Sequence, residues 1–133
     1  SGQPQGLTVR GDPANTGDPN RPNIVGDWQL GRDERTLNRF FNTSAFVANA
    51  PFTYGNAARN VLEQPGRVNL DFATFKRFQI TERVATQFRF EAFNFFNTPA
   101  FNNPNSEVGN VNFARITSAG RPRNLQFGLK VIF

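Results

Sequence analysis

Cysteine, histidine and methionine are absent from this sequence of 133 residues. Without cysteine there is no disulfide framework, no thiol nucleophile and no thiolate metal site. Without histidine there is no Ser-His triad, no imidazole ligand and no imidazole acid–base pair. Tryptophan and tyrosine occur once each. Leucine, isoleucine and valine are sparse, and no apolar run approaches the ~20 residues of a membrane helix. No signal peptide is visible, and the first six residues, SGQPQG, read like the interior of a longer chain. A processed or excised piece is the expectation.

What is present is phenylalanine, 16 of them, so any core must rest on Phe. Gly (11) and Pro (9) together exceed their usual share of roughly 12%, and asparagine is abundant. The formal net charge is +5, and all the cations but Lys76 and Lys130 are arginines. They scatter from Arg10 to Arg123 rather than forming a stripe, whereas nucleic-acid binders concentrate charge on one face. Phe88-Arg89-Phe90 interleaves aromatic and cation as stacking platforms do. Alternating strand faces give the same pattern, so nucleic acid is not the expected partner.

Residues 1–67 read as a loop-rich segment with at most short strands or helical turns. GDPANTGDPNRPN (residues 11–23) repeats GDP, and Gly, Asp and X-Pro favour turns. A short strand at Leu7 to Arg10 is compatible with this. DERTLNRFF (residues 33–41) predicts one or two helical turns with Asp33 as N-cap.

From Val68 the pattern changes. Residues 68–133 predict a few long antiparallel strands. RVNLDFATFKRFQI alternates apolar and polar residues up to Phe75, where the slip suggests a bulge. Thr81-Glu82-Arg83 is a tight connection. VATQFRFEAFNFF then places Val84, Thr86, Phe88, Phe90 and Ala92 on one face, with Ala85, Gln87, Arg89 and Glu91 on the other. Residues 97–123 are a second Asn-, Pro- and Gly-rich loop. The last stretch, RNLQFGLKVIF, sets Leu125, Phe127, Leu129, Val131 and Phe133 against Asn124, Gln126, Gly128 and Lys130. Strands of about ten residues, one short turn and long loops opposite are the habit of outer-membrane β-barrels.

Gln126, Gly128, Val131 and Phe133 resemble the β-signal of bacterial outer-membrane barrels. That pattern is a polar residue, Gly two later, then hydrophobic residues third from last and last. A wider likeness runs through FNTSAF (41–46), PFTYGNAARNVLEQPG (51–66), NLDFATFKRFQITER (69–83), FRFEAFNFFNTPAFNNPN (88–105) and FARITSAGRPRNLQFGLKVIF (113–133). These segments resemble, in order, the carboxy-terminal end of Oar-like TonB-dependent receptors. The resemblance implies an outer-membrane origin, a parent barrel of about 22 strands and import of bulky nutrients. It also implies reading of the last strand by the barrel-assembly machinery. Three or four strands cannot close a barrel, which begins at about eight, so the resemblance implies origin rather than transport by this stretch alone.

The fold expected is therefore all-β: an incomplete barrel segment with long loops and open edges completed by neighbouring copies. Unpaired edges and exposed Phe faces make strand addition the expected route to a filament or oligomer. The residues expected to carry assembly are Gln126, Gly128, Val131 and Phe133, with Leu125, Phe127, Leu129, Phe88, Phe90 and Phe72. The expected partners are copies of the chain, and in the parent the assembly machinery and outer membrane. The alternative is the closing strands of an uptake receptor. The best-placed acids are Asp71, Glu82 and Glu91, with Asp71 and Glu91 within reach across neighbouring strands. An acid–base pair needs a cleft and a raised pKa, and none can be argued, so neither enzyme activity nor a cofactor is expected.

Overall fold

The structure, a computed structural model, describes residues 2–133. The chain divides into two compact units. The first runs to Arg67 and takes in Phe101–Ala119; the second is Val68–Ala100 with Gly120–Phe133.

The first unit is built from very short strands. They are β1 (Pro4–Gln5), β2 (Thr8–Val9), β3 (Asn23–Ile24), β4 (Phe46–Val47) and β5 (Leu62–Glu63). β8 (Glu107–Val108) joins them from the 101–119 segment. β1 pairs antiparallel with β5, β3 antiparallel with β4, and β2 parallel with β8. A Gly or Pro within two residues follows each of these strands except β4 and helps to stop it. What holds the unit is an aromatic core: Phe41 and Phe46 are buried, and Trp28, Phe40 and Phe113 pack against it. Phe41 lies edge-on to Phe46 and Phe113, with centroids 5.7 and 5.2 Å apart. Beyond the β2–β8 pairing, backbone bonds from Phe40 N–H to the Ala114 carbonyl (2.9 Å) and from Ile116 N–H to that of Leu37 (2.8 Å) stitch 101–119 to the rest of this unit.

The helical turns expected over residues 33–41 do not form a helix. The N–H groups of Glu34 and Arg35 both donate to the Gly31 carbonyl, at 3.1 and 3.2 Å, and Thr36 and Arg39 exchange backbone bonds. These are successive turns. The apolar residues that the segment buries, Phe40 and Phe41, stand together at its end rather than at helical spacing, while Leu37 is half exposed, and isolated helical turns of this length do not persist. The one helical piece among the described residues is a 3₁₀ turn, Thr43–Ala45, whose Asn42 side chain accepts from the Ser44 N–H.

The second unit is a sheet of β6 (Phe72–Gln79), β7 (Ala85–Phe93) and β9 (Asn124–Ile132), antiparallel in the order β6-β7-β9. The β6–β7 register runs without interruption from Phe72↔Ala92 to Gln79↔Ala85. The bulge expected near Phe75 is therefore not there. Phe75 stays in register and places its ring on the otherwise polar face, where it is 70% exposed. A tight turn closes β6 to β7: Ile80 N–H donates to the Val84 carbonyl (2.9 Å), and Val84 N–H to Thr81 Oγ1 (3.1 Å). At the other end of the sheet, Asn94 N–H donates to Asp71 Oδ1 (2.9 Å) and Phe95 N–H to the Leu70 carbonyl (2.7 Å). The long connection from β7 to β9 leaves from that end. The architecture is all-β with an open sheet, as expected.

Candidate functional site

The period of two decides what each face of the sheet carries. One face presents Phe72, Thr74, Lys76 and Phe78 from β6, then Thr86, Phe88, Phe90 and Ala92 from β7. From β9 it adds Leu125, Phe127, Leu129 and Val131. The rungs bring the rings together: Phe90 and Phe127 are 5.0 Å apart, Phe88 and Phe127 6.3 Å, and Phe72 and Phe90 6.3 Å. Phe95 extends this row at 5.8 Å from Phe72. Yet Phe127 remains 69% and Leu129 71% exposed. Ring contacts within a single layer cannot bury the outer side of that layer, so the face requires an apolar medium or partner. Lys76 is the lone charge here, and its Nζ sits 5.2 Å from the Phe78 ring centroid. A long stem along the apolar surface with its ammonium over a ring is the expected compromise.

The other face is polar. Its central rungs are Ala73–Glu91–Gln126, Phe75–Arg89–Gly128 and Arg77–Gln87–Lys130, with Gln79–Ala85–Ile132 at one end and Phe93–Asn124 at the other. Arg89 and Glu91 form an ion pair along β7. A Cβ added to Gly128 would stand 3.7 Å from Arg89 Cβ, an ordinary contact, so no clash dictates this glycine.

The residues singled out in the sequence thus divide. Leu125, Phe127, Leu129 and Val131 share a face with Phe72, Phe88 and Phe90. Gln126 and Gly128 lie on the opposite face, against Glu91 and Arg89. Phe133 lies past the last rung, Ala85↔Ile132, and is 95% exposed. The carboxylates expected to meet do not. Asp71 caps the end of β7 and also accepts from Asn69 Nδ2 at 3.1 Å. Glu91 instead faces Ala73 and pairs with Arg89.

The first unit holds a cavity of about 500 Å³ bordered by Trp28, Arg35, Phe40, Asn60 and Glu63 among others. Arg35 is pinned by its Nε bond to the Leu30 carbonyl (2.9 Å), with its guanidinium 5.3 Å from the Phe40 centroid. No cluster of acidic side chains among the described residues suits a metal ion.

Sequence reasoning took the repeated GDP segment for two turns and missed what organises it. Asp12 accepts from the N–H groups of Gly17 (2.7 Å) and Thr16 (3.1 Å) and from Asn20 Nδ2 (2.7 Å). These bonds, the Gly17 one foremost, hold its carboxyl below the ordinary value of 3.8. Asn20 is buried and in turn accepts from the Ala14 N–H and from Asn49 Nδ2. An Asp followed within eight residues by Thr, Gly and Asn carries the signal, since short side chains of this kind bond their own backbone.

Strands of eight or nine residues with one apolar and one polar face make the wall of a membrane β-barrel. The tight turn at one end and the long connection at the other agree. The family model described as "Outer membrane beta barrel domain" matches residues 1–126. The chain belongs to that family, which places it in the bacterial outer membrane. Comparison with the curated proteins and with the solved structures finds no match.

Proposed function

We propose that this chain is a non-enzymatic wall segment of a TonB-dependent uptake receptor. In this reading Phe88, Phe90, Phe127 and Leu129 face lipid, and Gln87, Arg89 and Gln126 face the lumen. The observation that carries it is the exposed apolar face backed by a charged one on the same strands. The TonB-dependent part rests on the ordered likeness of the five segments from FNTSAF to the last strand. β9 serves in this reading as the strand engaged by the assembly machinery.

A second reading is favoured by a separate observation: among the described residues, β6 and β9 each pair on one side only. Copies of the chain could add to those edges and build a filament or oligomer.

The absence of cysteine makes one experiment decisive. Leu129→Cys and Lys130→Cys differ by one residue and present opposite faces. Each variant is labelled with an environment-sensitive dye and folded into vesicles containing brominated lipid. The wall reading expects strong quenching at position 129 and little at 130. Equal water access at both positions, with regular fibres in detergent-free buffer, would sink the wall reading and support the filament.

A further inference from the structure

We propose that the polar face of the sheet binds a small polyvalent anion, through Arg77, Arg89 and Lys130 grouped around Gln87. The proposal deepens the wall reading and rests on it, because that reading turns this face toward the lumen. Arg77, Gln87 and Lys130 form a single rung across the three strands. Arg89 lies two residues along β7 from Gln87, on the same face. With strands about 4.8 Å apart and a rise of about 3.4 Å per residue, the three Cα atoms fall within about 10 Å. Long cationic side chains from such positions reach a common point.

The sheet does not neutralise them. The one carboxylate on this face is Glu91, and it pairs with Arg89. Among the described residues, Arg77 and Lys130 make no ion pair or side-chain hydrogen bond. The rung toward the tight turn, Gln79–Ala85–Ile132, carries no charge. Arg89 keeps 61% of its side chain exposed while Glu91 keeps 20%, so the guanidinium still has a free side. Gly128 beside it adds no side chain to cover that side. Like charges on neighbouring strands repel, and an anion spanning them turns that repulsion into attraction. Gln87 at the centre offers amide donors without adding charge. Phosphate or carboxylate groups suit guanidinium and ammonium donors. Rings of Arg and Lys select anions in pores by the same physics.

The test uses the whole 133-residue chain folded in zwitterionic detergent and titrated with inorganic pyrophosphate by calorimetry at low salt. The variants are Arg77→Gln with Lys130→Gln, and the control Lys76→Gln, which removes a charge from the apolar face. Binding should weaken at least roughly tenfold in the double variant, as expected for losing charge-assisted contacts, and stay within about twofold in the control. Should the double variant lose its β-sheet circular dichroism, the single variants Arg77→Gln and Lys130→Gln take its place, and each should bind more weakly than the Lys76→Gln control; binding by both equal to that control would overturn the proposal. No binding by the parent, or equal weakening in the control, would overturn the proposal. So would capture of an acidic peptide on these residues with no response to pyrophosphate. The labelled position 129 separates the two readings. Quenching there without pyrophosphate binding removes the anion site alone, whereas no quenching removes the wall.

Discussion

Asparagine accounts for much of the irregular backbone, residue by residue. Asn15, Asn60, Asn94 and Asn97 all have positive φ, between 52° and 56°. This is left-handed backbone that Asn tolerates better than other residues bearing a Cβ. Their neighbours use the side chains as well: Thr98 N–H donates to Asn94 Oδ1 and Arg123 N–H to Asn97 Oδ1, each at 3.1 Å. These asparagine side chains are therefore engaged within the chain. Asp12 does the same work with a charge, and that makes it sensitive to pH. Its carboxyl is held below 3.8 by the Gly17 and Thr16 N–H groups, so the ionised form is favoured in the folded loop. The stabilisation is present above the ordinary value and is lost as pH falls through it toward the lower folded one. An NMR titration of the Gly17 amide should give a midpoint below 3.8, and residues 11–20 should loosen below it. A midpoint at or above the ordinary value would mean that Asp12 does not hold the loop.

At the scale of elements, the two units follow different rules. The first has strands too short to stabilise themselves, so its order depends on Phe41, Phe46 and Phe113. Phe46 is 4% exposed and touches Trp28, Phe41 and Phe113. Phe46→Ala should cost about 3–5 kcal/mol, as large-to-small changes in a core do. Trp28, the only tryptophan, stands 6.1 Å from Phe46 and reports the change directly. Urea unfolding followed by its fluorescence should shift to markedly lower midpoint. An unchanged midpoint would mean that this core does not hold the unit.

The three long strands were legible in the sequence because alternation is local: each face can be read from residues 84–92 or 124–131 alone. The bulge is not there because Phe75 is an exposed ring on a mostly polar face, which in the sequence looks like a register slip. Composition allows helical turns at 33–41, but Leu37 stays half exposed and its carbonyl accepts from Ile116 N–H instead of continuing a helix. The placement of 101–119 with the first unit was not legible. It depends on Phe113 meeting Phe41 and Phe46, more than 60 residues away in sequence, and periodicity carries no record of such a meeting. The cationic group was half legible: alternation alone sets Arg89 and Lys130 on the polar face, whereas Arg77 could be placed there only once the β6 register was known.

For the whole molecule the open question is what completes the sheet. Among the described residues, β7 is hydrogen-bonded on both sides, whereas β6 and β9 are paired on one side only. In an antiparallel edge strand, alternate N–H groups point toward the partner and alternate ones point away. Folded as single copies in micelles, the chain should therefore show uniform protection of the β7 amides in hydrogen exchange. Alternating protection is expected along β6 and β9. Supplying the missing strands changes this in a way that separates the candidates. Filaments grown in water without lipid should protect every amide of both edges, because each copy covers the next. Within a complete barrel both edges become protected as well, but only with lipid or detergent over the apolar face. If single copies in micelles already show full protection along β9, the sheet is closed by some part of the chain itself, and neither copies nor further barrel strands are needed at that edge. If instead β7 shows alternation, the β6-β7-β9 order is wrong, and the assignment of faces falls with it, the cationic rung included.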